Sequence, residues 1–99
     1  MANRRKGVIV PLTRREAVQR LSRIEGQIKG IKKMVEQGRY CVEVLGQISA
    51  AHEGLRGVGK LIMRNYLENC VTSSLRSGSS SRAKEAYGEL MDVIYKFAK

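Results

Sequence analysis

Ninety-nine residues, 42% hydrophobic with only 5% aromatic and no tryptophan, make one domain at most. The net charge of +10 is uneven: residues 1–33 hold ten Lys/Arg against two Glu, and the remaining 66 hold nine against seven acids. That asymmetry points to a polyanionic partner, nucleic acid first and an anionic membrane surface second. No run of 18 apolar residues exists to span a membrane, and the apolar patch Val8–Val10 before Pro11 is too short for a secretory signal, so a cytoplasmic protein is expected.

Residues 1–12 read as a flexible basic arm carrying Arg4, Arg5 and Lys6, stopped by Pro11. The plain alternative is a solubilising tail. Residues 13–99 read as a single all-helical domain. Thr13-Arg14-Arg15-Glu16 fits a capping box, in which the threonine hydroxyl accepts from the N–H three residues on and the glutamate reaches back. Val18, Leu21, Ile24, Ile28, Ile31, Met34 and Val35 then mark an amphipathic helix over about 14–37, with Gly38 as its C-terminal cap. Its polar side gathers Arg14, Arg15, Arg20, Arg23, Lys29, Lys32 and Lys33. Their repulsion is relieved by phosphates, and the absence of interleaved aromatics suits a duplex backbone better than stacked single strands.

A second, longer helix is expected from Cys41 to about Leu75. Val44, Leu45, Ile48, Ala51, Leu55, Val58, Ile62, Tyr66 and Cys70 recur at helical spacing without a proline. The only two cysteines lie 29 residues apart near its ends, about 43 Å along a straight helix. A disulfide needs Cα atoms within about 7 Å, so one chain's thiols are kept apart. Two such helices packed antiparallel bring Cys41 of one copy beside Cys70 of the other, twice, by symmetry. The two-fold then falls near Leu55 and Arg56. There Gly54, Gly57 and Gly59 would let two backbones approach, unless the glycines break the helix instead. Ser77-Gly78-Ser79-Ser80-Ser81 is a loop, and a third helix follows over about 82–98 with Ala86, Tyr87, Leu90, Met91, Ile94 and Phe97 on one face.

The chemistry available rests on the two thiols. In a reducing compartment such cysteines are more often reactive or metal-binding than structural. Cys41, in a first helical turn beside Arg39, is expected to be the more nucleophilic, although a small buried cysteine would look the same. His52 is the only imidazole and lies 18 residues before Cys70, so no Cys/His zinc cluster, Ser/His/Asp set or HExxH motif exists, and an enzyme is not expected. Tyr66, four residues before Cys70, is a poor ligand for a soft ion, but its phenol can donate to a nearby thiolate. Tyr40 adjoins the other cysteine. Two thiols alone leave three possibilities: linear binding of a soft metal, a disulfide, or attack of Cys41 on sulfane sulfur with Cys70 of the partner resolving the adduct.

The stretch RLSRIEGQIKGIKKMVEQGRYCVEVLGQISA, Arg20 to Ala50, closely resembles the signature of the CsoR/RcnR family of bacterial repressors, and with Leu67 to Cys70 and the third helix the likeness covers about residues 13–98. The resemblance implies an all-α fold with three helices per chain, an antiparallel four-helix-bundle dimer, and a dimer of dimers. It implies repression by binding double-stranded operator DNA, with Arg20, Arg23 and Lys33 among the contacts, and release when an effector engages a cysteine-centred site between protomers. Copper sensors of the family use Cys, His and Cys; here Cys41 and Cys70 match and Tyr66 stands where the histidine would be. The nickel and cobalt sensors need N-terminal histidines and the formaldehyde sensors an N-terminal proline, and neither fits. Two cysteines without the histidine look like the CstR-type persulfide sensors, in which sulfane sulfur converts the thiol pair to interprotomer di- or polysulfide links. The expectation is therefore a homotetrameric repressor sensing reactive sulfur through Cys41 and Cys70, with Tyr66 and Tyr40 behind them and no metal or cofactor. The alternative is a Cu(I)-responsive repressor using the same thiolates. A general oxidant sensor, a sulfur-carrying enzyme and a non-regulatory nucleoid protein are the further rivals.

Overall fold

The computed structural model describes residues 8–98, and among these every regular element is helical. Helix α1 spans Pro11–Glu36 and α2 spans Cys41–Asn65. A π-helical segment, Tyr66–Val71, follows directly and leads into the short α3, Thr72–Arg76; α4 spans Ser80–Phe97. The three expected helices are therefore present, the middle one composed of α2, the π segment and α3. No helix among the described residues is long and apolar enough to cross a membrane.

Helix α1 starts earlier than the capping box implied. Pro11 occupies the first turn, Val10 is the N-cap, and no side chain caps the end. Proline's fixed φ and missing N–H suit a first helical position, so the start moves ahead of Thr13 and residues 11–12 belong to α1 and not to an arm. Met1–Gly7, with the basic cluster expected there, lie outside the described residues. The C-terminal end is as expected. Gly38 takes φ +69°. Its N–H donates to Val35 O at 3.1 Å and that of Arg39 to Met34 O at 3.0 Å, the paired bonds of a Schellman cap.

The chain groups into two compact units, Val10–Met63 and residues 8–9 with 64–98. In the first, Ala17 and Ile24, two turns apart on α1, pack with Val58 of α2, flanked by Leu61 and Ile62. Two of the glycines expected on a two-fold, Gly54 and Gly57, face α1 of their own chain. A Cβ on Gly54 would meet Ile24 Cγ1 at 3.4 Å, and one on Gly57 would meet Arg20 Nη1 at 3.6 Å. Helix α2 does not break there. Much of the predicted apolar pattern stays uncovered: Val18, Leu21, Ile28 and Val35 on α1, and Leu45, Ile48 and Leu55 on α2, are exposed. In the second unit α4 packs against α3 and the π segment, with Val71, Ser74 and Ala86 buried. Ser79 Oγ accepts from the Arg82 N–H at 3.3 Å and caps α4, which therefore starts two residues before the expected 82.

Candidate functional site

The π segment has a local cause. Asn69 Nδ2 donates to the Asn65 carbonyl at 3.1 Å, and the Thr72 hydroxyl donates to the Leu67 carbonyl at 2.8 Å. The Thr72 N–H also reaches Leu67 O, a bond spanning five residues. Side chains thus enter the main-chain ladder and widen the turn. Asn65 itself is 3% exposed, and its Nδ2 donates to Val8 O at 3.3 Å. Single π turns recur at functional positions in helices, and this one carries both Tyr66 and Cys70.

Tyr66 does not serve a thiol in this structure. Its hydroxyl donates to Glu89 Oε1 of α4 at 3.0 Å. Its pKa is pushed up to about 12, chiefly by loss of hydration, then by the Glu89 hydrogen bond and charge, and last by Cys70. Tyr66 is therefore a neutral phenol at physiological pH. Because the folded pKa lies above the ordinary value near 10, the phenol's stabilising contribution is complete below pH 10 and is lost as pH rises towards 12. Urea unfolding followed across that window should show wild type losing stability faster than Tyr66→Phe; parallel curves would contradict this placement.

Cys70 is partly exposed and free. It lines a cleft of about 300 Å³ with Val71, Ser74, Glu85, Ala86 and Glu89. Cys41, also free and more exposed, is the first residue of α2 and belongs to the other unit. The helix opens on the Tyr40 carbonyl, which accepts from Glu43 and Val44. Tyr40 is exposed, and the Arg39 guanidinium beside Cys41 is paired with the Glu43 carboxylate at 3.2 Å. His52 is exposed. Among the described residues no three His, Cys, Asp or Glu side chains of this chain converge on a metal position. The soft donors this chain can offer are the two thiol sulfurs, a ligand type suited to a thiophilic ion.

The basic face is largely as expected. Arg14, Arg15, Arg23, Lys29 and Lys33 are exposed on α1. Arg20 differs: it is half-buried, with Nη2 at 2.6 Å from Glu16 Oε2 and Nη1 at 3.5 Å from the Gly57 carbonyl of α2. With Arg23, Ile24, Gln27, Gly54 and Gly57 it borders a depression of about 420 Å³. Arg20 thus joins α1 to α2 as well as contributing charge. Sequence reasoning missed Glu85, Glu89 and Asn65, and it gave Glu16 to the capping box although its i,i+4 spacing to Arg20 marked the ion pair seen here.

Comparison with known proteins agrees with this arrangement. The family of metal-sensitive transcriptional repressors matches residues 13–96. The copper-sensing transcriptional repressor CsoR of Bacillus subtilis (strain 168) is 42% identical over 80 residues, 81% of this chain and 76% of that protein. The copper-sensing transcriptional repressor RicR of Mycobacterium tuberculosis (strain ATCC 25618 / H37Rv) is 44% identical over 59 residues, 60% of this chain and 62% of that protein. The crystal structure of the copper-sensing repressor CsoR with Cu(I) from Geobacillus thermodenitrificans NG80-2 superposes with a TM-score of 0.81 at 40% identity, covering 91% of each chain. These relatives are copper sensors, so they favour the copper alternative and lend nothing to the narrower likeness to persulfide sensors. Matched by the family over residues 13–96 and by a solved CsoR structure over 91% of its length, the chain belongs to the CsoR family of metal-sensitive transcriptional repressors.

Proposed function

We propose that this repressor grips operator DNA through the basic face of α1 and releases it when Cu(I) engages the thiolates of Cys41 and Cys70 from two copies of the chain. The observation that carries the reading is the pair of free, solvent-reached thiols in a chain 40–42% identical to copper-sensing repressors. Thiolate sulfur is a preferred ligand type for Cu(I). When bound, the ion supplies a sulfur–metal–sulfur tie; this chain's residues supply the two donors, one at the start of α2 and one on the π segment. The exposed apolar stripes of α1 and α2 support a helical-bundle dimer, and a dimer of dimers, as the assembly that brings donors from two copies together. A cytoplasmic site of action goes with this role.

A second reading is favoured by Tyr66. Its phenol is committed to Glu89, so among the described residues two sulfurs are left without a third donor beside them. That set also suits sulfane-sulfur sensing. One thiolate attacks a hydropolysulfide, forming a protein persulfide and expelling a shorter sulfide. The partner's thiolate then attacks the persulfide and expels hydrosulfide, closing an interprotomer disulfide.

The deciding experiment follows fluorescence anisotropy of the repressor on an operator fragment recovered by footprinting. Cu(I) is supplied anaerobically from a chelator buffer, and hydropolysulfide and peroxide are supplied separately. Release by buffered Cu(I), reversed by excess chelator, is the expected result. Release by hydropolysulfide alone, with a dimer linked by a disulfide or by a longer sulfur chain of correspondingly greater mass, replaces the first reading with the second. Equal release by peroxide points to a general oxidant sensor, and binding unmoved by all three overturns the effector-released repressor altogether.

A further inference from the structure

We infer that Val8–Val10 is a strap that carries the state of the Cys70 segment to the first turn of α1, with Asn65 as its latch. All three strap residues are apolar and half-buried, and Pro11 follows them directly. Val8 and Ile9 group with the π segment and α4, whereas Val10 groups with α1 and α2, so the chain passes from one compact unit to the other within the strap. The Asn65 side chain, 3% exposed, uses both ends of its planar amide. Its Nδ2 donates to the Val8 carbonyl at 3.3 Å, and its Oδ1 accepts from Asn69 Nδ2 at 3.4 Å. Asn69, the residue before Cys70, also donates to the Asn65 main-chain carbonyl at 3.1 Å. At its other end the strap belongs to the helix: the Val10 carbonyl accepts from the Arg14 N–H at 2.8 Å.

The amide of Asn65 is rigid, so its oxygen cannot turn to follow Asn69 without drawing its nitrogen away from Val8. A buried amide left without a partner is costly, which favours two discrete arrangements, latch closed or strap repositioned, over slack between them. Three residues of chain and the fixed φ of Pro11 then connect Val8 to Arg14 and Arg15. This deepens the reading of Cys70 as an effector thiol and of α1 as the DNA-binding helix, and rests on it. A tie formed at Cys70 pulls on Asn69, opens the latch and releases the first turn of α1 from the placement that suits the operator. The effector thus prefers the open latch and the operator the closed one.

The test uses the full-length repressor. Asn65→Ala should favour the open latch by roughly fivefold, the worth of one ordinary hydrogen bond. The ratio of Cu(I) affinity to operator affinity, with Cu(I) supplied from a chelator buffer, should rise by that factor, through tighter Cu(I) binding, weaker operator binding or both. A damaged fold would instead weaken both. Asn69→Ala, at an exposed position, should move the ratio the same way, and the double variant should go no further than Asn65→Ala alone, because both act through one latch. Two glycines inserted between Ile9 and Val10 keep the latch and slacken the strap, and Asn65→Ala in that background should leave the ratio unmoved. Amide hydrogen exchange gives a readout that needs neither copper nor DNA: Asn65→Ala should speed exchange at the Arg14 N–H severalfold and leave that of Val58, in the core between α1 and α2, unchanged. If Cu(I) fails to release the operator, the copper reading falls and exchange still decides the strap. A ratio unmoved in both single variants, the same shift with the glycines inserted, or Arg14 exchange as slow as in wild type overturns the inference.

Discussion

Alanine at either Cys41 or Cys70 should leave operator binding within about threefold of wild type and abolish its response to effector. The wild-type response is expected to lie within the range of roughly 5- to 150-fold that coupling free energies between two sites usually span. The argument runs from exposure to linkage. Cys41 is exposed and Cys70 partly so, and neither is in a disulfide, so truncating either removes little packing and costs at most about 0.5 kcal/mol of stability. Neither residue lies on α1, whose basic face is the one proposed to meet phosphates. A ligand shifts an equilibrium only by its differential affinity for the two states. With one sulfur gone, an ion or sulfur chain can no longer tie two copies, so it has no reason to prefer the released state. If the site is shared between protomers, mixing Cys41→Ala with Cys70→Ala chains should restore one complete site per heterodimer and part of the response. Isothermal titration of each variant with chelator-buffered Cu(I), alongside anisotropy on the operator, checks both halves. An alanine variant that still releases DNA fully would remove the cysteine from the mechanism.

The sequence was most legible where local chemistry decides. Gly38 ends α1 because a left-handed residue is needed to close the two cap bonds, and that need is visible in the letters. The Ser-Gly-Ser run between α3 and α4 is equally plain, with Gly78 at φ +80°. The start of α1 was misread because two start signals compete within three residues, and Pro11 outweighs the Thr13 box. The π segment had no periodic signature. It arises from Asn69 and Thr72 bonding to main-chain carbonyls, which any helix of the same composition need not do. Glu89 was out of reach for a different reason: it meets Tyr66 across 23 residues of chain, and only the packing of α4 on the π segment brings them together. Gly54 shows the limit of composition arguments. Its lack of a side chain was correctly taken as a mark of close approach, but the neighbour is Ile24 of the same chain. The thiol pair was legible as chemistry, whereas the choice between copper and sulfur is not encoded in its spacing.

Operator affinity should fall by roughly 10³ to 10⁵ between 50 and 200 mM salt if six to ten phosphates are neutralised. Arg14, Arg15, Arg20, Arg23, Lys29 and Lys33 would supply them from each copy that touches the duplex. The two arginines bordering the depression beside Gly54 and Gly57 should separate cleanly. Arg23 is exposed, so Arg23→Ala should lower the slope of log affinity against log salt by about one for each copy in contact, with thermal stability unchanged. Arg20 is tied to Glu16 at 2.6 Å and reaches the Gly57 carbonyl of α2. Its pairing is partly exposed and contributes no more than about 1 kcal/mol. Arg20→Ala should therefore lower the melting temperature as well as the slope, and Glu16→Gln should do the opposite for DNA. Freed from its carboxylate, the Arg20 guanidinium is available to a phosphate, so affinity rises at low salt while stability drops slightly. Measuring slope and melting temperature together for the three variants assigns each residue. An unchanged slope in both arginine variants would move the DNA-binding face off this part of α1, whereas a change in slope without any change in melting temperature for Arg20→Ala would show that the link to α2 contributes nothing to holding the two helices together.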